Sequence, residues 1–282
     1  MKLVTQTSEV ASRYGDANAI KMIKNAGFDG YDFTMGNHNF DLLFNNPDYI
    51  AYVQNLRAVA DQIGIECLQA HAPSPLMRTA DQVVPLIPVF LRAIEICSIL
   101  GCKIMVVHPG SFLSAMENKT LLYDHLLPCA EQNGVIIATE NMFKWKDQTE
   151  TETLPSACGT AKDFVEHIDV INHPNFVACL DIGHSEMVNC EGAVKIIKAL
   201  GGDRLKALHV QDNDLYHDNH LFPFAGKIDW SQVCKALKEI KYSGNFTFEA
   251  DFFMKNYPDE LIPDCLTFLQ KTGRYLIKLI EE

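Results

Sequence analysis

Short runs rich in β-branched and aromatic residues alternate along the chain with longer stretches in which apolar residues recur at three- and four-residue steps. Eight runs have strand character: KLVTQT, FDGYDFT, IECLQAH, KIMVVH, VIIATE, FVACLD, LKALHV and NFTFEA. Between them, helices are predicted to begin near Asn18, Pro47, Val83, Thr120, Thr160, Cys190, Asp229 and Asp259. In the second of these, Ile50, Val53, Leu56, Val59 and Ile63 share one face, Pro47 suits a first turn and Gly64 suits the stop. The phrases NAGFDG, QIGIEC, ILGCKI, QNGVII and YSGNFT repeat one device, a glycine where a helix ends and the next strand starts. Asp229, ahead of Trp230, reads as an N-cap.

Eight strands and eight helices over 282 residues give units of about 35 residues each. Strict alternation requires parallel strands joined by crossovers, and eight such units close a barrel. An open doubly wound sheet is the competitor, but it carries a glycine-rich phosphate loop after an early strand. Here the first strand runs into TSEVASRYGD. The expected architecture is α/β, a single (β/α)8 TIM barrel in one domain over residues 1–282.

Composition narrows the function classes. Apolar residues make up 48% and charged ones 21%, enough apolar surface to offset the entropy of ordering the chain. The 24 Lys+Arg stand against 36 Asp+Glu, a net charge of −12. That balance argues against nucleic acid as a partner, since such binders draw their affinity from cations on phosphates. The N-terminal stretch MKLVTQTSEV lacks the apolar run of a secretory signal. The most apolar stretch, VVPLIPVFLRAIEICSIL, is broken by Pro85, Pro88, Arg92 and Glu95, so no membrane span is expected. Nine cysteines include no C-x-x-C pair, and Cys67, Cys97, Cys102, Cys179 and Cys234 fall inside predicted elements, which reads as buried, reduced thiol. A cytoplasmic location is the expectation. A homo-oligomer is compatible with these features.

The chemistry lies at the strand ends. From the third strand onward they finish in His71, His108, Glu140, Asp181, His209 and Glu249, spaced by 37, 32, 41, 28 and 40 residues, close to one barrel unit each. All strand C-termini of a parallel barrel open on one rim, so these side chains converge there. One or two such positions would be ordinary capping; six in succession are not. Two segments extend the set. DIGH places His184 on the loop leaving the sixth strand, and HDNHLFPFAGKIDW supplies His217, Asp218 and His220 after the seventh. His38, His125, His167 and His173 read as structural. A set of carboxylates with one imidazole is oxygen-rich and suits one divalent metal ion, Mn²⁺, Mg²⁺ or Co²⁺, with Zn²⁺ also accommodated.

These segments (HAP at 71–73, HPG at 108–110, EN at 140–141, LDIGH at 180–184, LHVQD at 208–212, DNHLFPFAGKIDW at 218–230 and FEAD at 248–251) resemble the xylose isomerase-like barrels. That superfamily holds ketose 3-epimerases, inosose isomerases and dehydratases, hydroxypyruvate isomerases and endonuclease IV. In its epimerase branch the resemblance implies that Glu140, Asp181, His209 and Glu249 hold the metal and that His184 contacts substrate. It further implies that Glu140 and Glu249, on opposite faces, serve as base and acid beside a carbonyl. The implied substrate is a small sugar, sugar phosphate or polyol. His71, His108, Asp218, His220 and Trp145 join as substrate-binding or supporting residues.

Two positions depart from the sugar 3-epimerases. A glutamate six residues beyond the first metal glutamate is Lys146 here, and an arginine six past the metal histidine is Leu215. Phe143 and Trp145 occupy the fifth loop instead, placed either to stack on a sugar face or to pack against a neighbouring loop. The endonuclease branch uses further ligands at His71, His108, His184, Asp218 and His220, and all five are present. An endonuclease IV-like phosphodiesterase acting on abasic DNA is therefore the alternative. The acidic balance and the lack of basic, aromatic-spaced loops count against it. A barrel that binds without turnover would have no need of an opposed glutamate pair.

Overall fold

The computed structural model describes residues 1–75, 77–150 and 152–282. Eight parallel strands form the wall of a (β/α)8 barrel: β1 (Leu3–Gln6), β2 (Gly30–Thr34), β3 (Glu66–His71), β4 (Ile104–Val107), β5 (Ile136–Glu140), β8 (Phe176–Asp181), β9 (Leu205–His209) and β10 (Phe246–Phe248). Their order round the sheet is β10-β1-β2-β3-β4-β5-β8-β9. The remaining seam closes where the Val210 amide donates to the Thr247 carbonyl at 2.8 Å and the Glu249 amide to the Val210 carbonyl at 3.1 Å. All eight expected strands form, each within two or three residues of its predicted bounds.

Period-2 alternation along the strands sorts the core into two parts. Val106, Ala138, Val177, Cys179 and Ala207 plug the barrel interior as one small cluster. Their strand neighbours, among them Met105, Val107, Ile137, Ala178 and Leu208, point outward into the larger cluster beneath the helices. The parity fixes what stands above the plug. His108, Glu140, Asp181 and His209 each lie two residues beyond a plug residue, so they face the same interior at its C-terminal end. Glu249 stands likewise two beyond Thr247, whose hydroxyl donates to Gln69 Oε1 at 3.2 Å inside the barrel.

Several local expectations are corrected. The stretch after β1 is a helix, Ser8–Tyr14, rather than a plain connection. The helix Tyr49–Ile63 buries Val53, Leu56 and Ala60, whereas Ile50 is 46% exposed, so its docking stripe is rotated toward Ala60. His184 lies in one short helical turn, Ile182–Glu186, rather than in a loop. The fifth crossover carries a two-stranded antiparallel hairpin, β6 (Phe143–Trp145) and β7 (Thr153–Pro155), outside the barrel wall. Ala80–Leu100 does have the length and mean hydropathy, 2.1, of a membrane span. Two prolines do not remove that property. In the structure the segment is a short helix, a 3-10 turn and the helix Ile87–Leu100, which seats Phe90, Ala93, Ile94, Ile96, Cys97 and Leu100 in the core. All nine cysteines are free, and the five expected to be buried are buried.

The glycine device has two physical forms. Gly64 ends its helix at φ 68°, left-handed, with its amide on the Asp61 carbonyl at 3.2 Å, and a Cβ there would meet open space. Gly244 has no positive φ; a Cβ there would strike the Lys206 carbonyl and the Tyr242 ring. Gly64→Ala should therefore cost about 1 kcal/mol of stability, the strain of a left-handed alanine alone. Gly244→Ala should cost about 1–3 kcal/mol through overpacking against rigid backbone. Urea denaturation of the two variants checks the order, and equal midpoints would refute it.

Candidate active site

The strand ends deliver a dense set of ionisable side chains to the floor of a cavity of about 1070 Å³. At its centre is Glu140, fully buried at the end of β5. Its Oε2 lies 3.2 Å from His108 Nε2, 3.2 Å from His209 Nδ1 and 3.6 Å from His71 Nε2, and its Oε1 is 3.6 Å from His184 Nδ1. Glu249 Oε2 approaches the same His209 Nδ1 at 3.0 Å. Asp181, paired in register with His209, completes the floor. One ligand atom from each of Glu140, Asp181, His209 and Glu249 can be chosen so that all four lie within 4.8 Å of one another.

Hydrogen bonding leaves this floor unfinished. Both Glu140 oxygens, Asp181 Oδ2 and His209 Nδ1 are buried without a hydrogen-bond partner. Buried charge in that state is costly, and natural structures neutralise it or coordinate it. The orphaned atoms belong to three of the four residues of the cluster, so the donor set fits a divalent cation. Three carboxylates and one imidazole make it a hard, oxygen-rich set. Three further groups among the described residues have the same compactness: His71, His209 and Glu249; His71, His108 and Glu140; and His184, Asp218 and His220.

The supporting contacts hold each ligand by its other atoms, which fixes ring orientation and tautomer. His209 turns Nε2 toward Asp32 Oδ2 at 3.6 Å, and Gln69 Nε2 donates to that same oxygen at 2.9 Å. Asn141 pins Asp181 from both sides, its Oδ1 accepting from the Asp181 amide at 2.7 Å and its Nδ2 donating to the Asp181 carbonyl at 2.9 Å. Asp181 Oδ1 accepts from the His184 amide at 2.6 Å, which caps the short turn carrying His184. His184 Nδ1 reaches the Asn141 carbonyl at 2.9 Å, and its Nε2 faces Asp218 Oδ2 at 3.3 Å. His220 meets that oxygen through Nε2 at 3.1 Å and the Glu249 carbonyl through Nδ1 at 2.8 Å.

Charge shifts follow from burial and these neighbours. Burial works to raise Glu140, but the charges of His209 and His108 prevail and hold it well below the carboxylate range. Glu249 balances the same way and falls to about 2. Asp181 has weaker compensation, so burial pushes it up to about 7. Burial opposes a charged His184, yet Asp181 and Asp218 raise it well above its usual value, and Asp218 likewise brings His220 to about 10. His108 moves down because burial outweighs the pull of Glu140.

Of the residues expected in the site, all but His217 gather at this mouth. Phe143 and Trp145 form its aromatic wall, in edge contact at 5.5 Å between centroids, and Phe143 also stands edge-on to His184 at 5.1 Å. Lys146 turns away to pair with Glu152 across the hairpin at 2.6 Å. His217 points outward to Asp214. His38 and His167 are structural, held by Asp16 and by Asn118 with the Asp163 carbonyl. Sequence reasoning missed Asn141, Gln211, Asp212 and Asp32. Asp212 is the most consequential: fully buried, it accepts from the amides of Asn213, Phe224 and Ile228 and from Trp230 Nε1, between 2.8 and 3.1 Å. Those four bonds shape the loop that presents Asp218 and His220. The signal was present in LHVQD, an acid directly after an apolar strand, but nothing in one sequence separates it from a capping aspartate.

Comparison with known proteins agrees with this fold. A curated L-ribulose 3-epimerase from Methylomonas sp. (strain DH-1) is 25% identical over 156 residues, covering 55% of this chain and 49% of that one. The chain spans about half the length of several curated relatives that it matches. A D-tagatose 3-epimerase-like protein of known structure superposes with a TM-score of 0.76 at 21% identity, covering 100% of this chain and 98% of that one. The IOLI protein, whose crystal structure contains a bound zinc atom, gives 0.74 at 20% identity, with 99% and 98% covered. Residues 20–271 match the family described as xylose isomerase-like TIM barrel, and the chain belongs to that family.

Proposed function

We propose that the protein is a divalent-metal-dependent isomerase or epimerase of a small sugar or polyol. The observation that carries this reading is the pair Glu140 and Glu249. Both carboxylates flank His209 Nδ1, at 3.2 and 3.0 Å, and both line the cavity. They come from β5 and β10, three strands apart round an eight-stranded wall, so they approach a substrate from different sides. The epimerase names among the relatives and the zinc atom of the IOLI protein support the same class.

Glu140, Asp181, His209 and Glu249 would hold the cation, which when bound supplies polarisation of a carbonyl and stabilisation of an enediolate. The protein's own groups account for the rest. Both glutamates sit below the usual carboxylate range in the ion-free site, so either can serve as the base. One takes the proton from the carbon beside the carbonyl and keeps it on a carboxylate oxygen. Inversion of the carbon requires the other glutamate to enter protonated and to give its own proton to the opposite face, so that the pair ends with the proton exchanged between the two carboxyls; return of the abstracted proton by the same glutamate to the adjacent carbon interconverts aldose and ketose. His184 and His220, both raised and both held on Asp218, place positive charge near the negative charge that develops on substrate oxygens. Phe143 and Trp145 provide an apolar face for the sugar ring and exclude water from the floor.

The groups His71–His108–Glu140 and His184–Asp218–His220 favour a second reading, a multinuclear phosphodiesterase acting on abasic DNA. Metal content separates the two. One tightly bound divalent ion per chain is the expected result, and three zinc ions per chain would favour the nuclease.

Cation affinity should depend on pH. With Asp181 near 7, the ion-free protein carries a proton there at mildly acidic pH, and a cation must displace it. Mn²⁺ affinity should therefore fall by at least about tenfold per unit below pH 7, because the cation also displaces a proton from His209, which burial lowers but its carboxylate neighbours raise overall. Calorimetric titration checks this, and constant affinity between about pH 5.5 and 7.5 would contradict it. In D₂O, a suitable ketose or inosose should gain deuterium beside its carbonyl. Glu249→Gln should lower that exchange by about 10²-fold or more. Proton NMR reads it, and full-rate exchange in the variant removes Glu249 from proton transfer.

A further inference from the structure

The cavity extends well beyond its metal-ligating floor. At about 1070 Å³ it lies at the top of the range for small-molecule pockets, roughly 300–1,000 Å³, and leaves room past a single sugar ring. Its outer wall holds Phe112, 49% exposed, with two cations against the one ring. Lys144 Nζ lies 4.9 Å from the ring centroid and the Arg78 guanidinium carbon 5.8 Å. All three residues line the cavity.

Arg78 is set apart from the other arginines by what it lacks. Arg13, Arg57, Arg204 and Arg274 each hold a carboxylate, and Arg92 holds the Phe44 carbonyl. Among the described residues, the Arg78 guanidinium forms no hydrogen bond or ion pair, and neither does the Lys144 ammonium. Lys146, just past the end of β6, pairs with Glu152 and so shows that the hairpin offers acidic partners. Asp147 and Glu150 also border the cavity, but neither forms an ion pair with Arg78 or Lys144. Asp147 Oδ1 instead accepts from the Thr149 amide at 2.8 Å. In a chain of net charge −12, two unpaired cations converging on a cavity wall form a local site for an anion. Phe112 keeps both side chains extended by cation–π contact, which reduces the entropy lost when they close on a ligand.

We propose that Arg78 and Lys144, braced on Phe112, form a subsite for a compact oxyanion at the far end of the substrate, so that the preferred substrate is an anionic sugar rather than a neutral one. This rests on the isomerase reading for the reacting end and adds the substrate class. A terminal phosphate monoester and a carboxylate share the required chemistry. Both accept charge-assisted hydrogen bonds from a guanidinium and an ammonium, and the planar guanidinium can engage two oxygens at once.

The test compares free ketohexoses, their terminal phosphate monoesters and keto-uronates, using metal-loaded protein. Binding is read by calorimetry and deuterium exchange by NMR. Wild type should bind at least one anionic class about tenfold or more tighter than the free ketose, and whichever class wins identifies the oxyanion. Arg78→Gln with Lys144→Gln should abolish that preference while leaving the affinity for the free ketose, the metal content and the melting temperature within error. Lys144→Arg should retain it. Equal affinity of wild type for neutral and anionic sugars, or a preference that survives the double substitution, overturns the subsite. Exchange on neutral ketoses without any anion preference sinks the subsite and leaves the isomerase reading standing. Cation-dependent anion binding with no exchange on any sugar does the reverse.

Discussion

The site depends on one electrostatic constraint: a carboxylate, Glu140, buried completely at the end of an apolar strand and ringed by imidazoles from four other segments. His71, His108, His184 and His209 approach it at 3.2–3.6 Å, yet neither of its oxygens receives a hydrogen bond. Such a group destabilises the fold unless positive charge accompanies it. Histidine cations supply part of that charge, and the donor set has the composition that a divalent cation completes. Most other features of the barrel mouth follow from keeping these groups in place.

That placement is achieved by backbone and amide contacts more than by packing. Asn141 grips Asp181 through two main-chain bonds, Asp181 caps the turn that carries His184, and Asp212 gathers four donors to fold the loop bearing Asp218 and His220. Each contact links adjacent crossovers, so the geometry at one strand end is tied to the next. Loss of one such amide or carboxylate would disturb the clustered side chains without removing one, as loss of a group around a metal site does.

How much of this could be read beforehand depended on range. The barrel was legible because alternation and the spacing of His71, His108, Glu140, Asp181, His209 and Glu249 are properties of the strand period and the unit length. The same parity that puts Ala138, Cys179 and Ala207 in the plug puts Glu140, Asp181 and His209 above it. What stayed hidden was set by tertiary contact. Ile50 looks like a core residue by spacing, but the helix docks through Val53, Leu56 and Ala60. The helix Ser8–Tyr14 is seven residues long and half polar, too short for periodicity to announce. The β6–β7 pair reads as loop because each strand has three residues. Asp32, part of no motif, acquires its meaning only because His209, far along the chain, lies beside it.

The β6–β7 hairpin has an evolutionary consequence. It shares no ladder with the eight-stranded wall, while Phe143, Lys144 and Trp145 all border the cavity. Replacing those side chains alters what the mouth accepts without shifting the register that positions Glu140 or Asp181. Within this architecture, the lining of the mouth and the buried cluster beneath it are separately mutable, so a lineage can change what the cavity accepts while the carboxylates of the floor stay fixed.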